Sequence, residues 1–287
     1  MTSTFSRSDD ARPCMICAGA SEYYFSKEYD TYPGSPFKDV ISVRYFRCAE
    51  CGFTFSATHQ DMSKEEWSSL NVSWHHHFEG DHNSRNINQP PYAAQALVLS
   101  MLEVNGVIDL DDALDYAAGY GTLSRFMKKY FSRNICIFDK YVTSGDQTLT
   151  YLSEANLGHY SLVMNSAMFE HVIDRDSLDS VNHLVSTRGV LMLHTVVCEN
   201  IPKDPSWFYL NPIVHSAFHT NESMRRLMEQ WGYSASIYCP MAKSWFLFKD
   251  GHPAVAALEE KVEAINQETQ SNFLVYKRGF VDYWKGF

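Results

Sequence analysis

The segment from residue 113 to residue 139 constrains the fold more than any other part of the chain. It starts with a short apolar run ending in Asp115, passes through Gly119 and Gly121, and closes with a second apolar run ending in Asp139. Apolar runs of this length are typical of buried parallel strands, and glycines allow a sharp turn between a strand and a helix. The order strand, glycine turn, helix, strand and acid predicts an α/β fold.

The same segment predicts a nucleoside-binding turn. A helix starting near Leu123 points its unpaired backbone amides at the turn, where glycine lets a ligand approach the backbone closely. Asp139, at the end of the second strand, can accept hydrogen bonds from the hydroxyls of a ribose. We therefore expect this segment to bind the adenosine half of a cofactor. The Ala-Ala-Gly-Tyr-Gly sequence over residues 117–121 departs from the G-x-G-x-x-G spacing of dinucleotide enzymes.

This glycine turn resembles motif I of the class I S-adenosylmethionine methyltransferases, which is roughly D-x-G-x-G-x-G. Asp115 stands two residues before the turn, and Ala117 replaces the first glycine. The resemblance covers residues 92 to 249 and implies a Rossmann-like sheet with helices on both faces. Further matches follow in the family's order: a fourth strand over 160–165, Glu-His-Val at 170–172, a fifth strand over 189–197 after a glycine, and a helix over 223–231 before Gly232-Tyr233.

The resemblance implies that the cofactor is S-adenosylmethionine. In this family the glycine turn approaches the methionine part of the cofactor, and the acid after the second strand holds the ribose. The residues expected to bind the cofactor are Asp115, Tyr116, Ala117, Ala118, Gly119, Gly121, Asp139, Lys140, Asn165 and Ser166.

Candidate catalytic residues follow the fourth and fifth strands, because ligands of an open parallel sheet bind beyond the carboxyl ends of its strands. Methyl transfer needs a nucleophile in line with the methyl group, and a base if that nucleophile carries a proton. His194, at the end of the fifth strand, is the leading candidate for this base, although a histidine here can also be hydrogen-bonded within the domain. The other candidates are His171, His215 and His219.

Glu170 and His171 resemble part of an E-x-x-E-H pattern, with which some metal-dependent O-methyltransferases bind a divalent ion. This chain has Ala167 in place of the first acid. We therefore expect the pair to have a structural role at the start of a helix rather than a part in metal-assisted catalysis.

Four cysteines form two closely spaced pairs about thirty residues apart. Cys14 and Cys17 make one pair, and Cys48 and Cys51 make the other, with a glycine directly after it. Each pair can give two thiolates from a tight turn, so that together they complete a tetrahedral Zn²⁺ site. The alternatives are two disulfides or unbound thiols. Because four thiolates leave no open position, we expect a structural zinc.

Two segments are candidates for binding the acceptor. The first contains three adjacent histidines, followed by carboxylates and His82, and it can be a solvated loop, an active-site lid or a metal site. The second, residues 204–220, is rich in aromatic and histidine side chains that can stack on a sugar ring or pack within the fold. The candidate acceptor-binding residues are His75, His76, His77, Trp207 and Tyr209.

A four-cysteine module before a class I methyltransferase domain also resembles the sugar C-methyltransferases of deoxysugar biosynthesis. Those proteins carry Y-H-E-H-F after the fifth strand, to which residues 214–219 are loosely similar. They also have a second C-terminal α/β domain, whereas only about 38 residues follow Lys249 here. The partial resemblance implies a small polar acceptor, a sugar or nucleotide-sugar, methylated on oxygen or carbon.

Charge and hydropathy suggest which partners to expect. A formal net charge of -10 argues against a nucleic acid as the main partner. No apolar run approaches the length of a membrane span and the N-terminus lacks the apolar centre of a signal peptide, so we expect no membrane partner and a cytoplasmic location. The aromatic tail over 273–287 needs cover from its own domain or from a second subunit, which makes a homodimer through this tail one expectation.

The sequence thus predicts four parts and one main function. The parts are a zinc-binding ribbon (1–60), a linker or lid (61–91), a methyltransferase domain (92–249) and a C-terminal helix with an aromatic tail (250–287). The expected function is S-adenosylmethionine-dependent methyl transfer to a small polar acceptor. Two alternatives stay open: a zinc-finger RNA base methyltransferase, and a non-catalytic zinc-binding interaction protein with a degenerate methyltransferase domain.

Overall fold

The computed structural model describes residues 11–78, 89–142 and 146–282, except for the side chains of His76 and Phe78. The chain forms two compact units, each with its own sheet and apolar core. Unit 1 comprises the described residues up to 78 together with 170–175 and 196–223. Unit 2 comprises residues 89–169, 176–195 and those from 224 onward.

The helices and strands of the described residues are numbered in chain order. The strands are β1 (Arg12–Pro13), β2 (Ala20–Tyr29), β3 (Ile41–Cys48), β4 (Thr54–Ser56), β5 (Ala113–Tyr116), β6 (Cys136–Phe138), β7 (Thr150–Tyr151), β8 (Tyr160–Ser166), β9 (Val185–His194), β10 (Val197–Cys198), β11 (Ala217–Thr220), β12 (Tyr233–Cys239), β13 (Ser244–Lys249) and β14 (Val275–Arg278). The helices are α1 (Ala57–Gln60), α2 (Lys64–Phe78), α3 (Tyr92–Val104), α4 (Thr122–Phe131), α5 (Arg175–His183), α6 (Asn221–Gln230) and α7 (Leu258–Glu268). Within the described ranges no helix is both long and apolar enough to cross a membrane.

Unit 2 is built on a sheet with the strand order β14-β12-β13-β9-β8-β5-β6-β7. The strands from β9 to β7 run parallel, and β13, β12 and β14 are antiparallel to their neighbours. The chain passes from β5 to β6, which pairs with one edge of β5. The later strand β8 pairs with the opposite edge of β5, so the strand order reverses at β5. Such a reversal opens a ligand crevice at the carboxyl ends of the strands. The predicted α/β fold with a Rossmann-like parallel sheet is confirmed.

The centre of this sheet is buried in the way that a parallel sheet requires. Leu162, Val163 and Met164 are consecutive residues of β8, and each is completely buried. Consecutive side chains of a strand point to opposite faces, so both faces of β8 are covered. The aliphatic side chains of α3 and α4, Leu99, Leu102 and Met127 among them, belong to the same core.

The fifth strand differs from its predicted bounds of 189–197. Gly189 lies inside β9 rather than just before it, and the strand ends at His194. A Cβ on Gly189 would lie 3.0 Å from the carbonyl oxygen of Ser161, so glycine lets β9 pass close to β8 where their register shifts. Val197, the last residue of the predicted strand, belongs to β10, which lies in unit 1.

Unit 1 contains a six-stranded sheet with the order β1-β2-β3-β4-β11-β10. The first four strands come from the N-terminal segment, and β11 extends them by pairing antiparallel with β4. The N-terminal strands β1 to β4 therefore share one sheet with β11 and β10. The physical reason is that Phe55 and Thr54 of β4 bond to residues more than 150 positions later, Ala217 and Phe218. The predicted division at residues 60, 91 and 249 stays a prediction.

The predicted linker over 61–91 is helical from residue 64 to residue 78. A capping box starts this helix, α2: the Glu66 N–H donates to Ser63 Oγ (3.2 Å), and the Ser63 N–H donates to Glu66 Oε2 (2.8 Å). Its apolar side consists of Trp67, Leu70 and Trp74, which recur at helical spacing and are buried. Both patterns are visible in the sequence. The remainder of the predicted lid, residues 79–88 with His82, lies outside the described residues.

The described part of the aromatic tail docks on its own unit. Phe280 is buried and stacks on Trp245, with ring centroids 5.5 Å apart. The indole Nε1–H of Trp245 donates to the carbonyl oxygen of Val281 (2.9 Å), and β14 pairs with β12. The last aromatic residues of the tail, Tyr283, Trp284 and Phe287, lie outside the described residues.

Candidate cofactor pocket, cysteine cluster and histidine cluster

The glycine turn after β5 has a left-handed backbone at three positions. Ala117, Gly119 and Gly121 have φ angles of 57°, 53° and 68°. Ala117 thus adopts the conformation that a glycine would take without strain, so the turn keeps its shape where the motif is incomplete. A Cβ on Gly121 would lie 2.6 Å from the side chain of Leu149, so a side chain there has no room.

The carboxylate of Asp139 braces this turn. Oδ2 accepts a hydrogen bond from the N–H of Gly119 (2.8 Å), and Oδ1 accepts from the N–H groups of Tyr141 (2.8 Å) and Val142 (2.9 Å). Each carboxylate oxygen can accept two hydrogen bonds, so among the described residues Oδ2 keeps one acceptor position. Asp139 can therefore shape the turn and accept a hydroxyl group of a ligand at the same time.

A cavity of about 330 Å³ opens beside Asp139. Its volume lies within the range of small-molecule sites. The residues after β7 that line it were not predicted from the sequence, because a two-residue strand leaves almost no pattern. The lining residues are Phe138, Asp139, Lys140, Tyr151, Leu152, Ser153 and Glu154.

Asp115 is a buried acid that ties β5 to the first turn of α4. Its carboxyl group is 2% exposed, and Oδ2 accepts a hydrogen bond from Ser124 Oγ (3.0 Å). Burial raises the pKa of Asp115 to about 7, and the negative charge of Asp139 acts in the same direction. The ionised form of this buried carboxyl group therefore stabilises the turn less than the neutral form does.

We expect Asp115→Asn to raise the thermal unfolding midpoint at pH 8 and to change it much less at pH 4. Below pH 3.8 the carboxyl group is neutral in both the folded and the unfolded chain, so burial costs little. Between pH 3.8 and about 7 the unfolded chain ionises first, and the folded state loses at most roughly 4 kcal/mol. Asparagine avoids this loss. The measurement compares both proteins with an Asp250→Asn control at an exposed acid, and an equal effect at the two pH values would contradict the expectation.

Four predicted residues share the carboxyl edge of the sheet in unit 2. Tyr116 of β5 is level with Asn165 of β8, and Ser166 is level with His194 of β9. The Nδ2 group of Asn165 donates to the carbonyl oxygen of Tyr116 (3.2 Å). The buried Oδ1 of Asn165 has no hydrogen-bond partner among the described residues. A buried acceptor without a partner is costly, which is expected where a ligand supplies the donor.

One residue at this edge was missed by the sequence analysis. Gln95 of α3 is completely buried, and its Nε2 group lies 3.0 Å from Ser166 Oγ and 3.2 Å from Ser244 Oγ. It therefore fixes the hydroxyl group of Ser166 at the end of β8. A single glutamine in an apolar helix is the only trace of this role in the sequence.

His194 is held in one tautomer at the end of β9. Its Nδ1 lies 2.7 Å from the carbonyl oxygen of Lys243, so Nδ1 carries the proton and Nε2 is the acceptor. Burial lowers the pKa of His194 to about 4, and the charge of Lys243 adds to this effect. The imidazole is therefore neutral at pH 7 and able to accept a proton. Ala167, directly after the neighbouring strand β8, has a left-handed φ of 64°, so the backbone is strained there.

Cys14, Cys17, Cys48 and Cys51 of unit 1 come together as predicted. Their thiols lie within 4.8 Å of one another, all are reduced, and the Sγ atoms of Cys14–Cys51, Cys17–Cys48 and Cys17–Cys51 are 3.5 to 3.6 Å apart. A tetrahedral zinc with Zn–S bonds of about 2.3 Å places its sulfurs roughly 3.8 Å apart. The cluster therefore fits Zn²⁺ and does not form disulfides.

The two cysteine pairs have the same backbone geometry. In the first turn Ala18 N–H donates to the carbonyl oxygen of Cys14 (2.8 Å), and in the second Gly52 N–H donates to that of Cys48 (3.1 Å). Ala18 and Gly52 both have left-handed φ angles, 60° and 70°. Two matching turns that each present two thiols are the arrangement that a four-thiolate zinc site requires.

A second cluster in unit 1 joins Glu170 and His171 to His215. One ligand atom from each of these residues lies within 4.8 Å of the other two. Tyr209 connects them: its hydroxyl group donates to Glu170 Oε1 (2.7 Å), and its carbonyl oxygen lies 2.6 Å from Nδ1 of His215. His75 of α2 is next to the cluster, with its ring centroid 5.3 Å from that of His171.

The strands of the ribbon support this cluster. The hydroxyl group of Tyr29 donates to the carbonyl oxygen of Leu210 (2.6 Å), and that of Tyr45 donates to the carbonyl oxygen of His215 (3.3 Å). The two hydroxyl oxygens lie 3.0 Å apart, so the single proton of Tyr45 is shared between the hydroxyl oxygen of Tyr29 and the carbonyl oxygen of His215. The segment that carries Tyr209 and His215 is therefore anchored on β2 and β3.

The histidines of the cluster are neutral. Burial lowers the pKa of His171 well below its ordinary value, and the neighbouring His215 and His75 act in the same direction. Burial also lowers the pKa of His215 to about 4. Neutral imidazoles can accept a proton or bind a metal ion.

The other histidine and aromatic candidates of unit 1 lie in packing positions. His77 stacks on Tyr32 with ring centroids 5.4 Å apart, and His219 is buried in β11 with its ring 5.0 Å from that of Phe53. Trp207 packs on Phe218 at 5.4 Å. The side chain of His76 lies outside the described residues.

Comparison with known proteins gives distant similarities in structure only. No family model matches the chain, and no curated protein matches its sequence. A magnesium protoporphyrin IX methyltransferase from Synechocystis PCC 6803 with bound SAM is 12% identical, with 66% of this chain and 95% of that chain covered and a TM-score of 0.42. The plantazolicin methyltransferase BamL in complex with a triazolic desmethylPZN analog and SAH is also 12% identical, with coverages of 74% and 91% and a TM-score of 0.43.

A third similar structure is an O-methyltransferase family protein from Burkholderia thailandensis. It is 15% identical, with 68% of this chain and 63% of that chain covered and a TM-score of 0.42. Similarities at this level carry no functional assignment to this chain.

Proposed function

We propose that the protein is an S-adenosylmethionine-dependent methyltransferase acting on a small polar acceptor. The observation that carries the proposal is the cavity beside Asp139, whose carboxylate also braces the left-handed glycine turn. The cavity lies at the carboxyl ends of β6 and β7, next to the position where the strand order reverses. A nucleoside in this cavity would place its ribose at Asp139 and the remainder of the cofactor along the turn.

The residues of unit 2 divide the work of binding the cofactor. Asp139 accepts a hydrogen bond from one ribose hydroxyl group, and residues 151–154 surround the base. The backbone of the turn, through Gly119 and Gly121, lies against the methionine part, where the free acceptor Oδ1 of Asn165 suits an ammonium group. When bound, S-adenosylmethionine would supply the methyl group.

His194 is proposed as the base. Its Nε2 takes the proton of the acceptor's nucleophile, while the carbonyl oxygen of Lys243 holds Nδ1–H in place. This hydrogen bond leaves Nε2 as the proton-accepting nitrogen of His194 in every protein molecule. Because burial lowers the pKa of His194 to about 4, protonation of this base does not limit the rate above about pH 5.

The acceptor is proposed to be a sugar or nucleotide-sugar, methylated on oxygen or carbon. The aromatic and histidine side chains around Tyr209 support this class, since they can stack on a sugar ring and hydrogen-bond its hydroxyl groups. The cysteine cluster is proposed to hold a structural zinc. A cytoplasmic location and a homodimer stay predictions from the sequence.

Two measurements test the proposed function. Calorimetry with S-adenosylhomocysteine is expected to show binding at one site per chain, and its absence would favour the non-catalytic alternative. Incubation with S-adenosylmethionine and a set of nucleotide-sugars is then expected to give a product heavier by one methyl group. Methylation of RNA alone, together with binding that strengthens steeply at low salt, would instead favour the RNA base methyltransferase.

We expect His194→Ala to lower the turnover number by roughly 100- to 10,000-fold and to change the affinity for S-adenosylhomocysteine little, because a base acts mainly in the transition state. His183→Ala, at an exposed histidine in the last turn of α5, is the matched control and is expected to keep full activity. Turnover and cofactor affinity are measured on the same preparations. Equal turnover in the two variants would remove His194 from the reaction.

A further inference from the structure

We propose that Glu170, His171 and His215 bind a divalent transition-metal ion, at a site separate from the four cysteines. The three ligand atoms lie within 4.8 Å of one another, and the carboxyl group of Glu170 is 3% exposed. All three residues belong to unit 1, and the proposal does not depend on methyl transfer.

The chemistry of the donors favours a particular class of ion. Two imidazoles and one carboxylate are the set with which proteins bind zinc, iron(II) and manganese(II) while leaving positions open for other ligands. Magnesium and calcium prefer sites made of oxygen alone. The cluster is therefore suited to an ion of the first transition series.

Each proposed ligand is oriented by a second group. Tyr209 serves two of them, since its hydroxyl group donates to Glu170 and its carbonyl oxygen accepts from Nδ1–H of His215, which leaves Nε2 of His215 as the donor to a metal. Metal-binding histidines and carboxylates are usually held by such outer partners.

The third ligand has an unpaired nitrogen. The ring of His171 donates a hydrogen bond to the carbonyl oxygen of Val214, and its buried Nδ1 has no hydrogen-bond partner among the described residues. The bond to Val214 therefore uses Nε2, and the lone pair of Nδ1 is left without a donor. A buried acceptor without a partner is costly, and a metal ion would satisfy it.

The separations allow an ion to be bound with small movements. Opposite ligands of an octahedral ion with bonds of about 2.1 Å are roughly 4.2 Å apart, and neighbouring ligands are closer. Closing the present separations, at most 4.8 Å, requires side-chain shifts of less than about 1 Å. The anchoring of residues 209–215 on Tyr29 and Tyr45 keeps the cluster close to this geometry.

The test is a titration of the purified full-length protein, adjusted by metal analysis to one zinc per chain, with Mn²⁺. The electron paramagnetic resonance signal of the free ion is followed. Zinc beyond one equivalent is avoided because it would occupy the proposed site before Mn²⁺ does. Manganese(II) binds thiolate sites weakly and should leave the cysteine cluster occupied by zinc. Excess Mg²⁺ suppresses binding to exposed carboxylates. We expect one equivalent of Mn²⁺ to bind per chain, and no binding under these conditions would overturn the proposal.

Three variants and one control assign the bound ion. Glu170→Gln and His215→Gln are expected to weaken Mn²⁺ binding by at least 100-fold, and Tyr209→Phe by roughly tenfold because it removes only an outer partner. His183→Ala, at an exposed histidine outside the cluster, should bind like the wild type. Circular dichroism and S-adenosylhomocysteine affinity verify folding. Wild-type Mn²⁺ affinity in folded Glu170→Gln would place the ion elsewhere and refute the site.

Discussion

Asp139→Ala is expected to weaken the binding of S-adenosylhomocysteine by roughly 100-fold. Its carboxylate is the charged acceptor at the cavity, and one hydrogen bond from a ribose hydroxyl group to a charged group contributes up to about 3 kcal/mol. The loss should appear in calorimetry as a higher dissociation constant at unchanged stoichiometry. Glu154→Gln changes an exposed acid that lines the same cavity, and it is expected to have a much smaller effect.

The structure adds a second way in which this substitution can act. Asp139 also accepts hydrogen bonds from the backbone around the turn, so an alanine there can weaken binding by loosening the turn. A ligand that lacks one ribose hydroxyl group, a 2′-deoxy or 3′-deoxy analogue of S-adenosylhomocysteine, separates the two effects in a double-mutant cycle. Removal of the contacted hydroxyl group should cost affinity in the wild type and almost none in Asp139→Ala. Equal losses in both proteins for both analogues would show that Asp139 does not contact the ribose.

Cys48→Ser is expected to remove one equivalent of zinc and to unfold much of unit 1. Structural zinc contributes an apparent 10 to 16 kcal/mol in small zinc-binding peptides, which is comparable to the whole stability of a typical domain. Three thiolates and a hydroxyl group hold the ion far less well. Metal analysis by mass spectrometry and the near-ultraviolet circular dichroism of the aromatic side chains measure the two effects.

The matched control for this experiment is Cys136→Ser. Cys136 lies in β6 of unit 2, outside the cysteine cluster, and its replacement is expected to leave the zinc content unchanged. Wild-type zinc content in Cys48→Ser would exclude this cluster as the zinc site.

The parts of the structure that are local in sequence could be predicted. The acid and the glycines of the turn from Asp115 to Gly121 lie within a few positions of one another, and the two cysteine pairs each form one tight turn. The strands of unit 2 follow from uninterrupted apolar runs, because a parallel strand that is buried on both faces has no polar side. Helix α3 spans Tyr92–Val104, and its buried residues recur at helical spacing.

The parts that depend on distant residues could not be predicted. Glu170 and His171 lack the first acid of the metal-binding pattern, and the third donor, His215, comes from a segment 44 residues later that joins them only in the folded chain. Short strands such as β7 and β11 leave two to four residues of pattern, so neither the wall of the cavity nor the extension of the ribbon sheet was visible. Burial of a glutamine such as Gln95 depends on tertiary packing alone.

The two cysteine turns are held from outside the N-terminal segment. The guanidinium of Arg175 donates to the carbonyl oxygens of Met15 and Ile16 in the first turn, and the hydroxyl group of Thr220 donates to that of Cys51 in the second. A chain that lacks residues 1–61 would lose β1 to β4. Strand β11 would then form an exposed sheet edge, and Phe218 would be uncovered. Exposed edges of this kind pair with other chains, so the shortened protein would aggregate rather than persist as a smaller folded protein. The N-terminal segment therefore covers a sheet edge in addition to carrying the four clustered cysteines.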